Sequence, residues 1–296
     1  MNEQTKDQVR NAVREQYGSV ARSTEGATGS APSCCAPGAL ASLALGYSAD
    51  DLAAVPEGAN MGLGCGNPQA IAKLKPGETV LDLGAGGGFD CFLAAKQVGP
   101  TGRVLGVDMT PDMVSKARAN AQSLGVTHVE FRLGEIEHLP VADGTVDVIL
   151  SNCVINLSPD KSAVFRDAFR VLRAGGRLAI SDVVALAPLP EALAGDIAAL
   201  TGCISGAAEV ASLREMLESS GFEQISVQIN EASRDFIRHW MPNSGVEDYV
   251  ASASIEAIKP GLSRDASRPS EPRQPTPERD VAACCAPSCC PTKTDA

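Results

Sequence analysis

These 296 residues predict an α/β chain built on a doubly wound, mostly parallel sheet, and three observations carry that expectation. From Glu78 onward, short apolar runs alternate with amphipathic ones. The first run passes into a glycine-rich turn, Asp82-Leu-Gly-Ala-Gly-Gly-Gly88, and the second ends on an aspartate, Gly106-Val-Asp108. Strands alternating with helices form crossover units, which pack their strands side by side in parallel. A 44% hydrophobic composition over this length fills one large core with smaller additions.

Taken in order, Val9, Val13, Tyr17 and Val20 recur at helical spacing and predict an amphipathic helix between Thr5 and Ser23. Residues 23–39 are rich in Gly, Ser, Thr, Ala and Pro and place Cys34-Cys35 on a mobile surface loop. Ser48-Ala-Asp-Asp51 has the spacing of a capped helix start. Strands are expected at Thr79-Val-Leu-Asp-Leu83, Arg103-Val-Leu-Gly-Val107, Val129-Glu-Phe-Arg-Leu133, Val146-Asp-Val-Ile-Leu150 and Arg177-Leu-Ala-Ile-Ser181. Helices fall near 90–98, 111–123 and 160–172. After Val184 the rhythm changes to an Ala-rich insertion containing Thr201-Gly-Cys-Ile-Ser-Gly-Ala207. A helix near 209–219 ending at Gly221 and a strand from Phe222 to Ile229 follow. From 261 the chain is rich in Pro, Arg, Ser and Glu and predicts a disordered tail that carries Cys284-Cys285 and Cys289-Cys290.

Charge narrows the function classes. Thirty-six acidic against 25 basic residues give a net charge of −11, a poor match for nucleic acid, whose phosphates need clustered Lys and Arg. Apolar stretches are too short to span a membrane, and the first residues lack a basic-then-apolar leader pattern, so the cytosol is the expected location. In that compartment ten cysteines read as thiols for metal binding or redox chemistry rather than as a disulfide framework. With one Trp and seven Phe, no aromatic patch argues for a dimer, and a monomer is the expectation.

A glycine turn between a first strand and its helix lets backbone approach a ligand closely, and the helix N-terminus favours negative charge. The spacing Gly84-x-Gly86-x-Gly88 departs from the G-x-G-x-x-G of nicotinamide and flavin enzymes, and Asp82 suits a cationic amino-acid moiety better than a pyrophosphate. Asp108, followed by Met109, is placed to accept hydrogen bonds from ribose hydroxyls. Together these features favour S-adenosylmethionine over NAD. Gly134-Glu135-Ile-Glu137 is expected near the adenine, and Asn152, at the end of the fourth strand, completes the candidate cofactor residues.

Ligands of a doubly wound sheet bind beyond the carboxyl ends of its strands, which is where Ser151-Asn152-Cys153 lies. Cys203 sits between Gly202 and Gly206 after the fifth strand, and Cys65 lies in the glycine-crowded Met61-Gly-Leu-Gly-Cys-Gly-Asn-Pro68, a segment able to fold over a site as a lid. Cys91, early in a core helix, reads as packing. There is no C-x-x-C pair, and the three histidines are scattered. Three thiols without histidine fit a soft trigonal-pyramidal acceptor rather than tetrahedral zinc. The tail pairs read as thiols that bind a soft ion together or exchange with other thiols, with capture and delivery of substrate as the functional hypothesis.

Gly64-Cys65-Gly66, Leu81-Asp-Leu-Gly-Ala-Gly-Gly-Gly-Phe-Asp-Cys91, Gly106-Val-Asp-Met-Thr110, Ser151-Asn-Cys-Val-Ile-Asn-Leu157 and Gly202-Cys203 together resemble the arsenite methyltransferase family over roughly residues 5–258. The resemblance implies that Cys153 and Cys203 hold trivalent arsenic beside the methyl donor, with Cys65 as third ligand and redox participant. Cys34 or Cys35 would stand for a further N-terminal redox thiol. It also implies arsenite or its thiol conjugates as substrate, mono-, di- and trimethylated products, and reduction by thioredoxin or glutathione. The chain then divides into an N-terminal helix with a cysteine-bearing lid (1–75), a cofactor domain (76–185), an arsenite-binding and sheet-closing segment (186–260) and the tail (261–296). The competing readings are a carbon methyltransferase of the ubiquinone or sterol type, which gives the thiols no work, and a non-catalytic metalloid-binding protein, which gives Asp82 and Asp108 none.

Overall fold

The computed structural model describes residues 3–23, 38–190 and 197–261. The Cys34-Cys35 loop and the Cys-bearing tail lie outside the described residues.

Among the described residues the α-helices are α1 (Glu3–Arg22), α2 (Gly38–Ala44), α3 (Ala49–Ala53), α4 (Pro68–Ala72), α5 (Phe89–Val98), α6 (Pro111–Leu124), α7 (Lys161–Val171), α8 (Ile197–Thr201), α9 (Val210–Ser219) and α10 (Arg234–Ile237). The strands are β1 (Thr79–Leu83), β2 (Arg103–Asp108), β3 (Val129–Leu133), β4 (Val146–Asn152), β5 (Leu172–Ala185), β6 (Ala208–Glu209), β7 (Glu223–Asn230) and β8 (Val250–Ile258). Local chemistry sets several boundaries. Ser48 and Asp51 form a reciprocal capping box that starts α3. Pro111 occupies the first turn of α6, where its missing N–H costs nothing, and Gly125 ends that helix in the left-handed conformation.

The strands run in the order β3-β2-β1-β4-β5-β8-β7, with β6 paired to β5. β1 to β5 are parallel to one another, whereas β8 runs antiparallel between β5 and β7. Chain direction across the sheet reverses between β1 and β4, and the crevice above that switch point is where ligands bind in such sheets. Strand alternation sends Leu81, Leu105 and Ile149 into a cluster with Phe165 of α7 and Leu217 of α9. Val80, Val104 and Val148 go to the other face, with Phe92 of α5 and Val114 of α6. A third apolar cluster joins Val13 of α1, Leu157, Ile204 and Trp240 to Cys65 and Cys203.

Two features differ from the sequence expectation. β5 begins at Leu172 rather than Arg177, with a register irregularity between Val146 and Val148 on its partner. β8 was not expected as a strand: its Val-Ala-Ser-Ala-Ser-Ile run is short in large apolar residues, and its place comes from pairing on both sides with β5 and β7.

Candidate active site

The crevice opens at the carboxyl ends of β1, β2 and β4 and is lined by Asp82, Gly84, Gly86, Asp108, Asn152 and Cys153 among others. Gly84 has φ +68° and Gly86 φ +51°. A Cβ on Gly84 would collide with the Val154 side chain, so only glycine lets the cofactor turn lie against the loop that carries Cys153. The Asp108 carboxylate accepts hydrogen bonds from the Gly86 N–H (2.9 Å) and the Thr110 N–H (2.8 Å), fastening the turn to the end of β2. Burial raises its pKa above the ordinary carboxylate value.

Asp82 is buried. Burial and the neighbouring Asp90 carboxylate push its pKa well up, and its hydrogen-bond donor among the described residues is the Cys91 thiol at 3.3 Å. Asp90 accepts from Tyr47 Oη at 2.9 Å, and the Gln69 side chain donates to its carbonyl at 2.8 Å. Tyr47, Gln69 and Asp90 were not found from sequence. Nothing in spacing distinguishes a helix-start aspartate that faces the crevice from one that faces water.

Three expected cofactor residues sit differently from the sequence reading. Gly88 is absent from the lining: its φ of +93° makes the turn, and a Cβ there would stand 2.7 Å from Phe92 and 2.8 Å from Phe131. The Glu135 carboxylate turns to α1, pairing with Arg14 at 2.5 Å and Arg10 at 3.3 Å, while Ile136 and Glu137 line the crevice. Asn152 does line it, yet its amide is engaged by the Cys65 N–H, the Gly66 carbonyl and Tyr47. Met109 also lies in the lining.

The thiols of Cys65 and Cys153 and a carboxylate oxygen of Asp182 all lie within 4.8 Å of one another. Cys203 Sγ donates to the Cys153 carbonyl at 2.8 Å. Of the five described non-glycine residues with positive φ, two are Cys153 (+60°) and Cys203 (+63°), a backbone conformation that persists only where the surroundings enforce it. Cys65 is fully buried and packed under Ser252, whose hydroxyl donates to its carbonyl at 2.5 Å, so it lies behind the crevice lining rather than in an open lid. Cys91 is buried in α5, as the packing reading expects.

Asp182 accepts from the Ile155 N–H (2.9 Å), the Val183 N–H (2.8 Å) and Asn156 Nδ2 (2.9 Å), and burial lifts its pKa to about 6. Burial pushes the Cys65 thiol up to about 11, and it also raises Cys153, whereas for Cys203 the contact with Cys153 is the larger cause. These are protonated thiols at neutral pH. With a pKa of about 11, Cys65 is thiolate in about one molecule in a thousand at pH 8. Fully buried and protonated, it should be alkylated by iodoacetamide far more slowly in the folded chain than in the urea-unfolded chain at the same pH. Mass-spectrometric rates in the two states check this, and equal rates would contradict it.

The order of the sheet, the crevice at its switch point and the glycine turn define a class I methyltransferase, and residues 74–221 match the family model described as a methyltransferase domain. Across 263 residues the chain is 51% identical to the arsenite methyltransferase of Halobacterium salinarum, covering 86% of this chain and 67% of that protein. The chain belongs to the arsenite methyltransferase family. It is 44% identical over 166 residues to the arsenite methyltransferase of Aquipseudomonas alcaligenes, of which it spans about half, 47%. Among solved structures, an arsenic (III) S-adenosylmethionine methyltransferase from Chlamydomonas reinhardtii superposes with TM-score 0.53 at 32% identity, over 77% of this chain and 76% of that one. A phosphoethanolamine N-methyltransferase from Haemonchus contortus, 18% identical with TM-score 0.55, covers 67% of this chain and 53% of that chain and shares the fold alone. No helix among the described residues is long and apolar enough to cross a membrane.

Proposed function

We propose that this chain transfers methyl groups from S-adenosylmethionine to trivalent arsenic held by Cys153, Cys203 and Cys65. The observation that carries the reading is that Cys153 and Cys203, from two separate loops, line the cofactor crevice and meet at 2.8 Å, with the fully buried Cys65 thiol within 4.8 Å of that of Cys153 behind them. The residues present fit the cofactor. Gly84, Gly86 and Gly87 edge the crevice with bare backbone, Asp82 is a buried carboxylate suited to an ammonium group, and Asp108, also in the lining, is suited to ribose hydroxyls. When bound, S-adenosylmethionine supplies an electrophilic sulfonium methyl for the arsenic lone pair.

The protein's part is to bind, orient and exclude water. Arsenite, As(OH)₃, exchanges its hydroxyls for thiols: each S–As bond forms as an As–O bond breaks, and the thiol proton leaves with the hydroxyl as water. No net base is consumed, which suits thiols that burial keeps protonated. Holding the pyramidal arsenic in place gives the proximity that an untethered acceptor lacks. Alkylation raises arsenic from trivalent to pentavalent. The Cys34 or Cys35 thiol then attacks the arsenic-bound Cys65 sulfur: an S–S bond forms as the Cys65 S–As bond breaks, the bonding pair returns to arsenic as its lone pair, and one proton leaves. A reductant of the thioredoxin or glutathione class then restores them. The protein acts in the cytosol as a monomer, with arsenite or its thiol conjugates as substrate.

Methyl transfer from labelled S-adenosylmethionine to arsenite, with a thiol reductant present, tests the reading. Labelled methylarsenicals that appear only when arsenite is added are the expected result. Cofactor binding without arsenite-dependent product would reject it in favour of a carbon acceptor.

A further inference from the structure

The three thiols come from loops far apart in the chain, and two of them hold positive φ. Something must fix the loops relative to one another. The run Ser151-Asn-Cys-Val-Ile-Asn-Leu157 places one asparagine immediately before Cys153 and another three residues after it. Each reaches a different partner loop. Asn152 Oδ1 accepts from the Cys65 N–H at 3.2 Å and its Nδ2 donates to the Gly66 carbonyl at 2.9 Å, so one amide side chain grips the main chain on either side of the Cys65 side chain. A Cβ on Gly64 would stand 3.0 Å from Asn152 Nδ2, so the loop is seated closely on this amide. Asn156 is buried, and its Nδ2 donates to the Val183 carbonyl (2.6 Å), to Asp182 Oδ1 (2.9 Å) and, at 3.4 Å, to the Cys203 carbonyl. A Cβ on Gly206 would collide with the Asn156 carbonyl oxygen, so the Cys203 loop lies directly on this residue.

We propose that Asn152 and Asn156 are paired positioning residues that assemble the thiol site from one short motif, Asn152 setting the place of Cys65 and Asn156 setting that of Cys203. Neither side chain supplies a ligand. An amide is the group that does this work, because each position needs a donor aimed at a carbonyl and Asn152 needs an acceptor as well. An aspartate at 156 would set a second carboxylate against Asp182 and two carbonyl oxygens. The proposal rests on the arsenic-methylating reading for its purpose, but the spacing it describes is measurable without that reading.

Two trivalent arsenicals that take different numbers of thiols separate the clamps. Phenylarsine oxide bonds to two thiols and arsenite to three. Trp240, the sole tryptophan, belongs to the same apolar cluster as Cys65 and Cys203, so its fluorescence reports binding. In the full chain, Asn156→Ser is expected to weaken both probes by about tenfold or more, the scale of losing one buried hydrogen-bonded clamp. S-adenosylhomocysteine affinity should stay within about twofold, which general loss of structure would not allow. Asn152→Ser is expected to retain phenylarsine oxide binding while the arsenic X-ray absorption edge of bound arsenite reports two sulfurs instead of three. Gly206→Ala, with Asn156 intact, should reproduce Asn156→Ser from the opposite side. Wild-type affinity for both probes in Asn156→Ser would overturn the proposal, as would parallel loss of both probes in Asn152→Ser. Failure of the wild-type chain to hold arsenite by three sulfurs would instead reject the arsenic reading, and phenylarsine oxide would still measure the Cys153–Cys203 clamp.

Discussion

Cys153→Ser and Cys203→Ser should each lower the rate of methylarsenical formation by about a thousandfold or more, while cofactor affinity remains near that of the wild type. The expected size follows from what the thiols supply. A hydroxyl forms no lasting bond to arsenic under aqueous conditions, so loss of either sulfur releases the acceptor from its orientation, and orientation accounts for much of the rate of a bimolecular transfer. Cys203 Sγ lies 2.8 Å from the Cys153 carbonyl, so the two loops meet at the acceptor and neither can substitute for the other. Cys91→Ser is the matched control. That thiol is fully buried in α5 and donates to Asp82 of β1 at 3.3 Å, and a serine hydroxyl can make the same bond. Activity in Cys91→Ser should stay within a few-fold of the wild type. Product analysis by chromatography with arsenic detection checks all three variants. Retained turnover in Cys153→Ser or Cys203→Ser would remove the thiol-held acceptor.

What could be read from sequence was decided by locality. β1 with its glycine turn, α6 with Pro111 and Gly125 at its ends, and the Ser48–Asp51 capping box are each specified within a few adjacent residues, and they stand where the spacing places them. The strand-end rule put Cys153 on the ligand side before any coordinate was known, because it needs only the strand and its direction. The failures share the opposite property. β8 is defined by what flanks it, and an alternating Ala and Ser run carries too little apolar signal to announce a strand between two others. Glu135 faced the cofactor in the one-dimensional reading because nothing local reveals that Arg10 and Arg14 of α1 approach it from more than a hundred residues away. Cys65 was expected in a glycine-crowded loop able to fold over the site. Burial of Cys65 depends on Ser252 and on the third apolar cluster, which is assembled from both ends of the chain. Asn152 and Asn156 were visible as letters in a distinctive run, but their reach toward Cys65 and Cys203 exists only once three loops have been folded together.

Asp108→Ala should raise the dissociation constant for S-adenosylmethionine by about a hundredfold, and the reason extends past the contact the carboxylate would make with the ligand. Its two oxygens already accept from Gly86 at 2.9 Å and Thr110 at 2.8 Å, so the side chain organises the glycine turn before any cofactor arrives. Hydrogen bonds to a charged acceptor contribute about 1.5–3 kcal/mol each, and loss of one such bond to the ligand together with a loosened turn reaches the stated factor. Arsenite binding, reported by Trp240, should change little, since the thiol cluster is held by other residues. Asp108→Asn keeps one acceptor oxygen and turns an N–H₂ toward a donor, so its loss should be intermediate. The pH dependence gives a second readout with a definite sign. Burial raises the Asp108 pKa, so acid protonates this group at a higher pH than an ordinary aspartate and removes its acceptor capacity. Cofactor affinity in the wild type should therefore be full above the raised pKa and should decline as pH falls through it. Asp108→Asn has no proton to gain there and should lose this limb of the profile. Calorimetric titration with S-adenosylhomocysteine from neutral to acid pH measures both effects. An unchanged affinity in Asp108→Ala, or an acid limb that survives in Asp108→Asn, would move the ribose contact to another residue and leave Asp108 as a fastener of the turn alone.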